Sequence, residues 1–146
     1  MPTNYILDAG PLGLLTHDKP AHRVPMQNWV VQQIAGGSII YVSEVADYEV
    51  RRELVRLIRA GKLPASRLNR LDQLARLCNY LPVSTAIWHR AADLWAEARL
   101  QGKPTAAAAA LDADVLIAAQ AQEVNASVVT NNAGHIGRWA PVLTWP

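Results

Sequence analysis

A single cysteine, Cys78, stands in a chain of 146 residues. That rules out an internal disulfide and a thiolate zinc cage. Its neighbours Leu74, Leu77 and Leu81 mark it as a small core residue instead. The sequence has no apolar run of about 20 residues and no basic-then-apolar leader, so it is expected to be a cytoplasmic protein without a membrane span. An excess of one charge is also missing. Fourteen Lys and Arg oppose twelve Asp and Glu, a net charge of +2, so global charge argues only weakly for a polyanionic partner. There is no internal repeat and no linker, and the one low-complexity stretch is Ala106–Ala110. What remains is an ordinary globular composition, 51% apolar, expected to fold as one domain over residues 1–146.

Apolar runs at Tyr5–Leu7, Ile39–Val42, Val128–Thr130 and Val142–Thr144 read as strands, with a weaker fifth around Tyr80–Val83. Helical spacing covers Gly10–Thr16, Pro20–Ala35, Ser43 to about Ala60 with Gly61 as the stop, about Ala65 to Asn79, Thr85–Leu100, and about Leu111 to Val124. The alanine run before Leu111 is able to extend the last helix backward. Short strands alternating with longer helices predict an α/β fold: a short, mostly parallel sheet of four to five strands with helices on both faces.

The charges are unevenly placed. Eight of the fourteen cations lie between Arg51 and Arg76: Arg51, Arg52, Arg56, Arg59, Lys62, Arg67, Arg70 and Arg76. A basic helical segment is suited to tracking a phosphate backbone, and equally to forming a solvated, salt-bridged face.

The carboxylates carry the functional signal. A charge ending a buried strand is costly unless something uses it, and Asp8 ends the first strand. Ligands collect at the carboxyl ends of parallel strands. Ser43, Glu44 and Glu49 follow the second strand, and Asn131 and Asn132 follow Val128–Thr130. The helix opened by Asp112 and Asp114 leads into that same strand, so its start faces the same rim. Each residue has a plainer use. Asp8 is able to cap a turn, Glu49 to pair with Arg52 or Arg56, and Asp112 to cap its helix while Asp114 favours the helix's positive end. Asp114, inside the apolar run Ala113–Ala119, would need a cation or a proton. Crowded carboxylates repel, and a hard divalent cation relieves them. Mg²⁺ or Mn²⁺ suits an all-oxygen set better than zinc does, since cysteine and a close histidine pair are missing. Of His17, His22, His89 and His135, only His135 falls near the proposed site, and it is read as incidental.

These residues resemble the PIN-domain nucleases, and among them the VapC-like toxins of toxin–antitoxin pairs. The segments are YILDAGPLGLL, VSEVADYEVRREL, LDADVLIAAQA and VVTNNAGHI, spread over nearly the whole chain. The family's first acid matches Asp8. Its Ser-x-x-Thr-x-x-Glu matches Ser43-x-x-Ala46-x-x-Glu49, which selects Glu49 over Glu44. Its Asp-x-x-Ile-Ala-Ala matches Asp114 with Ile117, Ala118 and Ala119, and its Thr-x-Asn/Asp matches Thr130 and Asn132. Ala46 replaces the usual hydroxyl residue. Asn132 and His135 stand where many relatives place a fourth carboxylate.

The resemblance implies a PIN-like domain that cleaves RNA by water attack, leaving 5′-phosphate and 3′-hydroxyl ends. Asp8, Glu49 and Asp114 would be the catalytic residues and would hold Mg²⁺ or Mn²⁺, with Asp112 as a fourth ligand and one metal in the resting site. Ser43, Thr130 and Asn132 would orient carboxylates or water. Arg51, Arg52, Arg99, Lys103 and Arg138 would contact the RNA backbone. A small antitoxin and a second copy of the chain are the implied partners. The leucine-rich fourth helix with Trp88 and Trp95 offers an apolar contact surface, although core packing is the expectation for those tryptophans. A housekeeping RNA-processing nuclease and a catalytically silent PIN-like binding domain share these residues. A phosphoacceptor domain is disfavoured because no lysine follows a strand.

Overall fold

The apolar runs form five short strands in the computed structural model, which describes residues 2–101, 108–134 and 136–146, those of 108–111 by backbone alone. They are β1 (Asn4–Leu7), β2 (Ile40–Ser43), β3 (Asn79–Leu81), β4 (Ala126–Thr130) and β5 (Val142–Thr144). The order is β3-β2-β1-β4-β5. Every pairing is parallel, so the expected mostly parallel sheet is wholly so. Adjacent strand residues face opposite sides. Ile6 and Leu7, like Val128 and Val129, are fully buried, so helices cover both faces of the two central strands. Each such side chain contributes roughly 1.5–3 kcal/mol by leaving water.

The helices are α1 (Ala9–Thr16), α2 (Pro20–Ala35), α3 (Glu44–Arg59), α4 (Ser66–Leu77), α5 (Thr85–Leu100) and α6 (Ala108–Val124), followed by a 3₁₀ turn at Ile136–Arg138. The Ser43 hydroxyl caps α3 by accepting from the Val45 and Ala46 amides, and Arg56 and Arg59 suit its negative end. Gly61, at φ 72°, turns the chain away as expected. The main core joins the sheet to α1–α4 and α6. A second cluster is built by Ile87, Ala91, Leu94 and Ala98 of α5 against Val115, Leu116, Ala118 and Ala119 of α6. No helix among the described residues is long and apolar enough to cross a membrane.

Two expectations need correction. Helix α6 is already formed at Ala108, upstream of the expected start near Leu111. Asp112 is therefore not its cap and Asp114 is not in its first turn, because alanine's helix propensity carried the helix backward. The tryptophans of α5 are not core residues: Trp88 is 57% and Trp95 37% exposed. The small residues Ala91 and Ala98, with Ile87 and Leu94, occupy the face that packs on α6.

Candidate active site at the carboxyl edge of the sheet

From β1 the chain moves outward through β2 to β3, then crosses back to place β4 on the other side of β1. The reversal opens a crevice at the carboxyl ends of β1 and β4, where parallel α/β sheets bind ligands. Asp8 and Thr130 occupy it. The Thr130 hydroxyl donates to Asp8 Oδ2 at 2.7 Å, and the Ala9 amide donates to Asp8 Oδ1 at 2.8 Å. Asp8 thus caps α1, the plainer use expected of it, and is also fixed from β4.

The loop after β4 wraps this carboxylate. The Asn132 amide donates to Thr130 Oγ1 at 3.1 Å, and the Gly134 amide to Asn132 Oδ1 at 3.1 Å. Gly134 takes φ 46°, and a Cβ there would lie 3.2 Å from Asp114 Oδ2. Asn131 lies so close to Gly10 that a Cβ on Gly10 would stand 1.6 Å from its Oδ1. One short loop therefore touches the start of α1, holds Asp8 through Thr130, and runs over Asp114. Asn132 spends its side-chain oxygen on the loop itself. His135 lies outside the described residues.

Glu49 enters from α3. It is half-buried, and its carboxyl pKa is raised, first by desolvation and then by the charge of Asp8, with Arg52 pulling it back. Two carboxylates from distant segments thus repel each other here, a local deficit of positive charge. Glu49 also lines a cleft of about 570 Å³ with Glu44, Tyr48, Arg52, Trp88 and Asp112. Asp112 is exposed at this cleft, whereas Glu44 is engaged, accepting from the Val83 amide at 3.0 Å. A second cleft, about 480 Å³, runs from Glu49 and Arg52 past Gly10 and Gly13 to Arg67. Among the described residues no three His, Cys, Asp or Glu side chains stand close enough together to enclose an ion. The donor set is nonetheless all oxygen and short of positive charge. It fits a hard cation that keeps part of its water shell, with Asp8 and Glu49 as the pair the structure brings within electrostatic reach.

Ser43 does something other than expected. Its hydroxyl donates to Gln120 Oε1 at 2.6 Å while capping α3, so it acts on the helix that carries Glu49 and not through a hydrogen bond to a carboxylate. Arg51 also departs from its expected role. Its guanidinium is bound to Asp47 through two hydrogen bonds, at 3.1 and 3.2 Å, and to Asp72 at 2.8 Å. Those two acids occupy donors that a phosphate would otherwise take. Arg52 is the expected cation that shares clefts with Glu49, its guanidinium 5.1 Å from the centre of the Tyr48 ring. Arg99 covers Trp95 at 4.9 Å, Arg138 lines another cleft with Glu97, Gln101 and Trp139, and Lys103 lies outside the described residues. Much of the basic stretch is paired internally, with Arg56 on Glu53 and Arg70 on Asp18.

Sequence reasoning passed over Asp47 and Gln120, and named Arg67 only as one of the basic stretch. The buried Asp47 anchors Arg51 and accepts from the Tyr80 hydroxyl at 3.4 Å; its spacing four residues before Arg51 was a legible signal. Gln120 was visible as the one polar residue in Leu116–Ala121. Nothing in the sequence distinguishes Arg67 from its basic neighbours.

The family model that matches is the PIN domain, over residues 5–137. No curated protein sequence matches the chain. Solved structures of similar fold include VapBC2 from Rickettsia felis bound to a DNA fragment from their promoter, at 19% identity over 97% of this chain and 98% of that one, TM-score 0.76. FitAcB from Neisseria gonorrhoeae aligns at 20% identity over 96% of each chain, TM-score 0.68. DNA-bound VapBC from Salmonella typhimurium aligns at 19% identity over 99% of each, TM-score 0.61.

Proposed function

The chain belongs to the PIN-domain family, and from that premise we propose that it is a Mg²⁺- or Mn²⁺-dependent endoribonuclease, the toxin of a toxin–antitoxin pair. The family is of nuclease type and its nucleases generally use divalent metal ions. The observation that carries the reading is Asp8 at the sheet's switch point, both its oxygens held by the Ala9 amide and the Thr130 hydroxyl, with the half-buried Glu49 near enough to feel its charge. These are two acids at the sheet's switch point whose charges call for a cation.

Asp8, Glu49 and Asp114 would hold the ion, with Asp112 at the cleft as a further oxygen donor. When bound, such an ion lowers the pKa of water and offsets charge on a phosphodiester. The chain's own part is preorganisation. Thr130 and the Ala9 amide fix both oxygens of Asp8 before any ligand arrives, so little reorganisation is needed during reaction. Arg52, which lines both clefts with Glu49, would take a substrate phosphate. Water attack would leave 5′-phosphate and 3′-hydroxyl ends.

The VapBC and FitAB structures of the same fold support a small cognate antitoxin as partner. The exposed Trp88 and Trp95, seven residues apart on one face of α5, offer an apolar surface to a second copy of the chain, which light scattering of the purified protein would read as a dimer.

The test is cleavage of unstructured RNA with Mn²⁺ against chelator. Wild type cleaves only with metal, and Asp8→Asn and Asp114→Asn abolish cleavage while remaining folded. Cleavage by either variant at the wild-type rate would remove the assignment. A folded wild type that binds Mn²⁺ without cutting would favour the silent binding domain instead.

A further inference from the structure

Gln120 is fully buried in a helix stretch that is otherwise apolar, and a buried amide is costly unless its partners are in place. All its partners belong to other elements. Its Oε1 accepts from the Ser43 hydroxyl at 2.6 Å. Its Nε2 donates to the Leu81 carbonyl at 2.9 Å and to the Pro82 carbonyl at 3.4 Å. One amide thus ties α6 to the first residue before α3 and to the end of β3.

The spacing gives this tie a function. Glu49 lies six residues beyond Ser43 on α3, and Asp114 six residues before Gln120 on α6. The hydrogen bond therefore sits at equal chain distance from two acids of the proposed site, on the two helices that carry them. An apolar side chain of the same size would fill the space but supply no directional bond from α6 to the start of α3. Ser43 adds a second constraint, since the oxygen that donates to Gln120 also caps α3.

We infer that Gln120 is a positioning residue, setting the separation and rotation of the helices that present Glu49 and Asp114. The inference deepens the nuclease reading and rests on it for its consequence in catalysis, but its geometric content does not depend on metal.

The test compares wild type with Gln120→Met, which keeps length and volume and loses the amide, and with Gln120→Glu. Crystal structures of metal-free protein give the Glu49–Asp114 Cα separation, and calorimetry gives the Mn²⁺ affinity well below the melting temperature. Gln120→Met is expected to change the separation and to weaken Mn²⁺ binding well beyond twofold, short of the roughly 100-fold that losing a direct partner of a ligand can cost. Gln120→Glu, kept protonated by burial, can still accept from Ser43 and donate to Leu81. It is expected to retain wild-type affinity near pH 6 and to lose it at higher pH, where wild-type affinity holds or rises as its carboxylates deprotonate. An unchanged separation with Mn²⁺ affinity within twofold overturns the inference. If Gln120→Met does not fold, the pH profile of Gln120→Glu decides, and a profile parallel to wild type overturns it. A wild type that binds no Mn²⁺ sinks the nuclease reading, while the helix separation still decides the role of Gln120.

Discussion

The Thr130 hydroxyl donates to Asp8 Oδ2 across the crevice between β4 and β1, and Thr130 is 1% exposed. Thr130→Val keeps the shape and removes the donor. It is expected to cost about 1.5–3 kcal/mol, as for a hydrogen bond to a charged group, and to slow metal-dependent cleavage about 10–100-fold. Urea unfolding and initial cleavage rates check the two effects separately.

Glu49 sets a pH dependence. Its native pKa is raised above the ordinary 4.5 by burial and by Asp8, so the native protein holds this proton more tightly than the unfolded chain does. The resulting stabilisation is complete below the unfolded value and is lost as pH rises through the native one. Glu49→Gln removes that slope. Without metal the variant is expected to be more stable than wild type at pH 8, by less than about 1 kcal/mol because the group is half-exposed. Mn²⁺ is expected to raise the melting temperature of wild type and not of the variant. Melts at pH 5 and pH 8, with and without Mn²⁺, test both.

Gly134 adopts φ 46° directly over Asp114 Oδ2. Gly134→Ala adds strain at a positive φ and a methyl 3.2 Å from that oxygen. A loss of about 1 kcal/mol is expected, together with weaker Mn²⁺ binding as Asp114 gives way. Chemical denaturation and calorimetric titration are the measurements.

Asp47 holds Arg51 and the Tyr80 hydroxyl, and the Tyr80 pKa is pushed up to about 12 by burial, then by the charges of Asp47 and Glu44 and by the hydrogen bond to Asp47. Asp47→Asn removes the charge and retains a polar partner. The Tyr80 pKa is expected to fall, while burial keeps it above the ordinary 10.0. Stability at pH 7 is expected to drop by about 1–3 kcal/mol. Absorbance titration of tyrosinate and urea melts report the two outcomes.

The element order and the parallel sheet were legible because apolar strands and amphipathic helices alternate with clear punctuation, such as Gly61 after α3. Asp8 was legible because a carboxylate after an apolar strand is locally costly, and Thr130 because the resemblance pointed to it. The roles of Ser43 and Arg51 were not. Ser43 is claimed by Gln120 on a helix 77 residues away, and Arg51 by Asp72 on α4; one-dimensional spacing registers neither. The outward face of Trp88 and Trp95 was likewise hidden. A tryptophan looks like core by hydropathy, and only the fit of alanines between α5 and α6 decides which side is inside.

The central position of β1 also fixes when the site comes into being. β1 emerges first, but its partner β4 and the hydroxyl that steadies Asp8 lie 122 residues later. At about 5–20 residues per second on the ribosome, Asp8 waits roughly 6–24 s for Thr130. A fragment lacking the last fifth of the chain has only one wall of the crevice, and its Asp8 lacks the hydroxyl that steadies it.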